Sequence, residues 1–432
     1  MARLSFDGLK TRATSLLVSL VLLSQLAACS TGASPASSVD ASPPSSPTAA
    51  IQGEPVATKA PEATDKPLPP AATATPLPPT STPKPSVKIP SGLPDAGIQV
   101  FLWGNAPTTE RDLGLAKEAG FTWVKERFEW RYIEPHEKGQ YEWAEADRIV
   151  DAVQAAGLKL VIRVDNQPAW ARADNLFPGS GPPDNLADFT DFLQALATRY
   201  KGRIAAYEIW NEPNLAAEWG NRAPNANEYV AMLKQAYEVI KQADPQALVI
   251  SAGLAPTTAS GDVATPDAEF VKQMYAAGAK GYFDLLGVHA AGYKAAPEMS
   301  PEDVAADDAY NHLEGAAGRI YCFRHAEDIR QVMIENGDSA TKMAIMEFGW
   351  TTDDRPNSLY HWHAVTPEEQ ADYLVRAFKY ARRNWSDDVA LMSLIYIADP
   401  HWTKDQEQYY WSITEPDGTP RPAYHALLAA LR

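Results

Sequence analysis

The sequence predicts a closed barrel of eight parallel strands, each followed by a helix, over residues 96–432: the (β/α)8 or TIM-barrel class. Three observations predict it. Beyond Gly97, short apolar runs of strand character alternate eight times with stretches of helical period, and parallel neighbours need such crossovers. Two of the runs end in a carboxylate: Tyr207-Glu208-Ile209-Trp210 leads into Asn211-Glu212-Pro213, and Met343-Ala344-Ile345-Met346 into Glu347. The carboxyl ends of strands are where a barrel gathers its reactive side chains. No glycine-rich phosphate turn follows the first run, which weighs against a doubly wound open sheet.

Taken in order, strand one is expected at 98–103 and a helix at 109–120, with Thr109 as cap and Gly120 as stop. Strand two follows at 122–128, a helix at 143–156 ended by Gly157, and strand three at 158–165. The helix at 186–200 places Phe189, Phe192, Leu193 and Leu196 on one face. Strand four spans 204–210 and must stop before Pro213, which has no N–H for a ladder. A helix at 226–243 precedes Asp244-Pro245. Strand five (247–252), a helix (268–277), strand six (283–289), a helix (326–336) and strand seven (342–347) come next. A helix at 367–384 capped by Thr366, strand eight at 389–397 and a closing helix at 422–431 complete the pattern. The domain's 337 residues exceed the roughly 250 of a typical barrel, and the excess falls in two loops, 290–325 and 398–421, both leaving the carboxyl-terminal face.

The segment ahead of the barrel is a different material. Arg3, Lys10 and Arg12 precede a short apolar core rich in Leu and Val, then Leu26-Ala27-Ala28-Cys29. That order reads as a secretory signal, and its core is short for a membrane span of about 20 residues. Leu-Ala-Ala-Cys resembles the bacterial lipobox, which implies lipidation of Cys29, removal of what precedes it, and tethering through a lipid anchor. Residues 30–95 contain 16 of the 35 prolines, and no Phe, Tyr or Trp occurs between Phe6 and Phe101. Such a segment cannot offset its ordering entropy by burial and reads as a disordered spacer. The domain plan is a signal and lipobox at 1–29, a linker at 30–95 and a barrel at 96–432, lipid-anchored outside the cytoplasm.

A formal net charge of −17 excludes nucleic acid as the expected partner, because phosphate binding needs clustered Lys and Arg. Two cysteines cannot build a disulfide framework; Cys322 reads as a buried, inert thiol. No His, Cys or Asp cluster has zinc spacing, so neither a catalytic metal nor a cofactor is expected.

Two carboxylates at two strand ends are what glycoside hydrolysis requires. The W-N-E-P of 210–213 and the M-E-F-G of 346–349, 135 residues apart from Glu212 to Glu347, resemble clan A of the retaining glycoside hydrolases. The stretch 130–143 is most similar to the xylosidase- and cellulase-type branches. The resemblance covers about residue 97 to the end. It implies that Glu212 is the acid/base, Glu347 the nucleophile, and Asn211 the partner of the sugar 2-hydroxyl. It also implies a strand-two arginine beside the nucleophile. Matching Trp130…Ile133-Glu134-Pro135 to the family's pattern puts Lys125 there instead, with Arg127 on the same face, and leaves open which base serves. Either cation would hold Glu347 ionised. Glu208 points lower into the barrel and needs a buried partner, for which Lys125 is also suited. The resemblance further implies His289 at the end of strand six, with Tyr293 displaced from the family's spacing.

Trp350 and Trp402, with Trp103, Trp170, Trp362 and Trp411, fall at or after strand ends, where aromatic faces can stack on sugar C–H groups. The expectation is therefore a monomeric hydrolase of O-glycosidic, β-linked bonds in oligo- or polysaccharides. Its rivals are a non-catalytic carbohydrate-binding lipoprotein on the same barrel and a transglycosylase.

Overall fold

A computed structural model describes residues 92–174 and 179–432. The lipobox, Cys29 and most of the linker lie outside the described residues. Eight strands, β1 (Asp95–Gln99), β2 (Trp123–Arg127), β3 (Lys159–Val164), β4 (Ala206–Ile209), β5 (Leu248–Ser251), β6 (Leu285–His289), β7 (Lys342–Phe348) and β8 (Val389–Leu394), pair in parallel in chain order. β8 pairs with β1 and closes the barrel.

The first strand starts earlier than its apolar run suggested. Pro94-Asp95-Ala96-Gly97 does not read as strand, yet Gly97 pairs with Trp123 on one side and Ser393 on the other. A Cβ there would meet Leu391 and Trp123 at 3.3 Å, so this crowded position favours glycine. Phe101 and Trp103 consequently belong to the loop above the strand, on the face that carries the paired carboxylates.

The helices are α1 (Thr109–Glu118), the short α2 (Trp130–Ile133), α3 (Ala144–Ala156), α4 (Leu186–Arg199), α5 (Ala226–Ala243) and α6 (Asp267–Ala276). They continue with the short α7 (Pro301–Ala305), α8 (Ala326–Glu335), α9 (Pro367–Asn384), the short α10 (Gln408–Trp411) and α11 (Pro422–Leu431). Thr366 caps α9 through a reciprocal box with Glu369, as its sequence suggests. Thr109 is not a cap: it begins α1, and its hydroxyl donates to the Asn105 carbonyl at 3.0 Å. Gly157 ends α3 in a left-handed conformation (φ 73°), one that L side chains resist.

Strand alternation divides the core in two. Trp123, Val161, Ala206, Leu248, Leu285, Ala344 and Met346 fill the barrel interior. Val124, Ile162, Tyr207, Val249 and Ile345 face outward and pack under the helices with Leu193, Leu233 and Phe378. The outer layer is continuous around the barrel and buries the apolar stripe of each long helix. Cys322 is buried in a satellite cluster under the loop after β6, and burial pushes its thiol to about 12. Among the described residues, no helix is long and apolar enough to cross a membrane.

Candidate active site

Both carboxylates reach the barrel mouth by interrupting the alternation of their strands. β4 ends at Ile209, and Trp210 then takes a left-handed conformation (φ 74°). Its ring swings out against Phe189 and Trp219, and its Nε1 donates to the Glu218 carbonyl at 2.9 Å. Glu212 is left-handed too (φ 40°), and its amide donates to the Gly253 carbonyl at 3.1 Å. Two such non-glycine residues within three positions hold a costly local geometry of the kind found at functional sites. On β7, Ala344 and Met346 point inward, so strict alternation would turn Glu347 outward and Phe348 inward, yet Phe348 packs in the outer layer. The pairing slips between Val288 and His289 on one side and between Ile345 and Phe348 on the other. This bulge re-aims Glu347 and sets it opposite His289.

One carboxylate oxygen of Glu212, one of Glu347 and a ring nitrogen of His289 lie within 4.8 Å of one another. His289 Nδ1 is 2.9 Å from Glu212 Oε1 and 3.9 Å from Glu347 Oε2. Burial alone would lower the His289 pKa, but the carboxylates of Glu347 and Glu212 outweigh it and hold the ring above its ordinary value. Gly253 makes room for that ring: a Cβ there would lie 2.1 Å from it.

Glu347 Oε1 is held from the other side by two cations, Arg163 Nη1 at 3.2 Å and Lys125 Nζ at 3.5 Å. Burial would raise the Glu347 carboxyl, but His289, Lys125 and Arg163 overcome it and hold the group well below the usual carboxylate range. Lys125 also sits 2.8 Å from Glu208, which is fully buried. One ammonium thus serves the buried structural carboxylate and the site. The three donors Glu212, His289 and Glu347 are spaced closely enough to suggest a metal, but the two fixed cations on Glu347 oppose a divalent ion there.

The open choice between the two strand-two bases is thereby decided by geometry: Lys125 faces Glu347, whereas Arg127 pairs with Glu129 at 2.8 Å. Asn211 lies beside the site with its Oδ1 on Arg163 Nη1 at 2.8 Å. Tyr293, left-handed at φ 51°, is buried and packs edge-on to Tyr321 and His363 and near-parallel to Trp362. Trp402 is half-buried at the rim between Phe101 and Tyr396. Trp350 corrects its expectation: it is fully buried, its Nε1 donates to the Ala295 carbonyl at 2.9 Å, and no ring face is open to a sugar. Trp411 is likewise buried, with its Nε1 on Glu407 Oε2 at 2.7 Å.

Sequence reasoning missed Arg163, held by Asp165 at 2.8 Å, and the nearby buried Glu218. Burial first, then Glu212 and Asp165, raise the Glu218 carboxyl to about 7. A signal for Arg163 existed: it stands two residues after Val161 at the inward end of a Val- and Ile-rich strand, in register with Glu208. A charge at such a position needs a partner across the barrel.

Residues 86–277, which include Lys125, Arg163, Asn211 and Glu212, match the model of the cellulase family, glycosyl hydrolase family 5. Comparison with curated proteins returned no match. Among solved structures, a family 39 glycoside hydrolase from the gut symbiont Bacteroides cellulosilyticus WH2 is similar at TM-score 0.58 and 22% identity, over 78% of this chain and 63% of that one. An exo-beta-1,4-mannosidase from Opitutaceae bacterium strain TAV5 gives 0.53 and 15%, over 80% and 62%. Xylanase 10B from Thermotoga petrophila RKU-1, in complex with xylobiose, gives 0.51 and 15%, over 78% and 93%. The chain thus spans under two thirds of the length of the first two. These distant likenesses carry the fold. With the family match and the paired carboxylates they make glycoside hydrolysis the activity this site points to. The barrel is the clan A fold.

Proposed function

We propose that the protein is a retaining hydrolase of β-linked O-glycosidic bonds in oligo- or polysaccharides, working by double displacement. The observation that carries the reading is the close approach of Glu212 and Glu347, nearest oxygens within 4.8 Å. Retaining enzymes keep their two carboxyl groups roughly 5–5.5 Å apart, while inverting ones leave about 6.5–9.5 Å for a water.

In the first step, ionised Glu347 attacks the anomeric carbon. Its Oε1 is engaged by Arg163 and Lys125, so Oε2 forms the new bond. The glycosidic C–O bond breaks as Glu212 transfers its proton to the leaving oxygen. His289 Nδ1 donates to Glu212 Oε1, which fixes the carboxyl's rotation and leaves Oε2 for the proton. In the second step, Glu212 takes a proton from water, whose oxygen attacks the anomeric carbon and releases Glu347. Asn211 donates its amide hydrogen to the sugar 2-hydroxyl. Trp402 offers a rim surface for stacking. Lipidation at Cys29 would hold the enzyme at the outside of the bacterial envelope, and Cys29→Ser would then release it from membranes with activity intact.

The test separates the two carboxylates. Glu347→Ala should abolish turnover whatever the leaving group. Glu212→Ala should slow natural glycosides by about 10²–10⁴-fold, the usual worth of general acid catalysis, and activated aryl glycosides far less in the first step. Azide should then rescue turnover and give a β-glycosyl azide. Equal loss on both substrate types with an α-azide product would overturn the mechanism.

A further inference from the structure

We infer that Arg163 is a positioning residue that couples the nucleophile to recognition of the sugar 2-hydroxyl, acting through Asn211; this deepens the reading above and rests on it. A single nitrogen, Arg163 Nη1, lies 2.8 Å from Asn211 Oδ1 and 3.2 Å from Glu347 Oε1. A guanidinium has only donors, whereas an amide has an acceptor end and a donor end. The acceptor end of Asn211 must therefore face Arg163, because a flipped amide would set N–H against N–H. Its NH2 is locked on the opposite side, where it can only donate.

Arg163 is itself immobilised. It is buried at the end of β3, in register with Glu208, and its Nε is 2.8 Å from Asp165 Oδ2. The negative charge of Glu347 is shared between Arg163 and Lys125, but Lys125 lies closer to Glu208, at 2.8 Å, than to Glu347. Neutralising the nucleophile is thus a shared task, and orienting Asn211 falls to Arg163. Arginine suits this better than lysine, since its planar fork can hold Asp165, Asn211 and Glu347 at fixed angles.

The experiment measures kcat and KM for an activated aryl β-glycoside and its 2-deoxy analogue, in wild type, Arg163→Lys, Arg163→Gln and Asn211→Ala. Contacts to the 2-hydroxyl strengthen in the transition state, so its removal should cost wild type about 10²-fold or more in kcat. Arg163→Lys retains the buried charge but not the fork. It should lose about 10–10²-fold in kcat on the 2-hydroxy substrate, with the 2-deoxy penalty shrinking to about 10-fold or less. Asn211→Ala should show the same shrinkage, and combining it with Arg163→Lys should shrink the penalty no further. Arg163→Gln is a second probe if the lysine variant does not fold. A penalty present in wild type and undiminished in folded Arg163 variants would overturn the inference while leaving the carboxylate assignment standing. A wild type indifferent to the 2-hydroxyl would overturn the Asn211 reading and this inference with it.

Discussion

Glu347 is the residue on which the site converges, and its ionisation is maintained against burial by neighbours on three different strands: Lys125, Arg163 and His289. The sign of the pH effect follows. Its folded pKa is depressed, so the ionised form is present at neutral pH and is lost only as pH falls through that low value. Lys125→Met removes one cation and must raise that value, so the acid limb of kcat/KM should move to higher pH. The same variant leaves Glu208 buried without its 2.8 Å partner, which should destabilise the fold by about 3–5 kcal/mol in denaturant titration. The two rim candidates divide in the same residue-by-residue way. Trp350→Ala should cost about 3–5 kcal/mol of stability by opening a core cavity. Trp402→Ala should leave the melting temperature nearly unchanged and raise KM for oligosaccharides. A Trp402 variant with unaltered KM would remove it from the binding surface.

At the scale of elements, the strand ends matter more than the strands. Period and turn residues made the eight units legible, and W-N-E-P and M-E-F-G marked where two of them end. What the string could not show is how those ends are shaped. Extending alternation from Glu208 would send Glu212 inward, but the chain reaches that result through the left-handed Trp210 and Glu212. Alternation from Met346 would have sent Glu347 outward, and a bulge reverses it. Trp350 misled because a strand-end tryptophan has the same letter whether it lines a cleft or packs under a loop. Arg163 was overlooked because its three partners, Asp165, Asn211 and Glu347, span three segments that only barrel closure brings together. Gly253, after β5, tests how tightly these ends fit. In Gly253→Ala the new methyl would sit 2.1 Å from the His289 ring, so ring or backbone must move. Overpacking of this kind typically costs about 1–3 kcal/mol. The larger effect should be on chemistry: with His289 displaced from Glu212, kcat should fall for poor leaving groups and much less for activated ones. Equal kcat values for both substrate types relative to wild type would show that His289 does not act through Glu212.

For the molecule as a whole, the barrel depends on joining successive units around its circumference, and one such joint is a buried histidine. His325, just before α8, places Nε2 2.7 Å from Asp267 at the start of α6 and Nδ1 3.1 Å from Asp328 in the first turn of α8. Its side chain is 3% exposed, so both ring N–H groups are committed and the ring must be protonated to donate to both carboxylates. Burial opposes the charge, but Asp267 and Asp328 outweigh it and raise the pKa to about 9. The folded value lies above the unfolded value of about 6.5, so the stabilisation is complete below that pH and is lost as pH rises through about 9. The two values set its size at roughly 3–4 kcal/mol at most. Stability of the wild-type barrel, from urea unfolding midpoints between pH 6 and 10, should therefore decline across this window. His325→Gln should be less stable at pH 6, because Asp267 loses its cation, and should approach wild type at pH 10. The active site, at the strand ends, should keep its pH–rate profile in that variant. Parallel stability curves for the two proteins from pH 6 to 10 would show that His325 is neutral in the fold, and that the α6–α8 joint is held by packing instead.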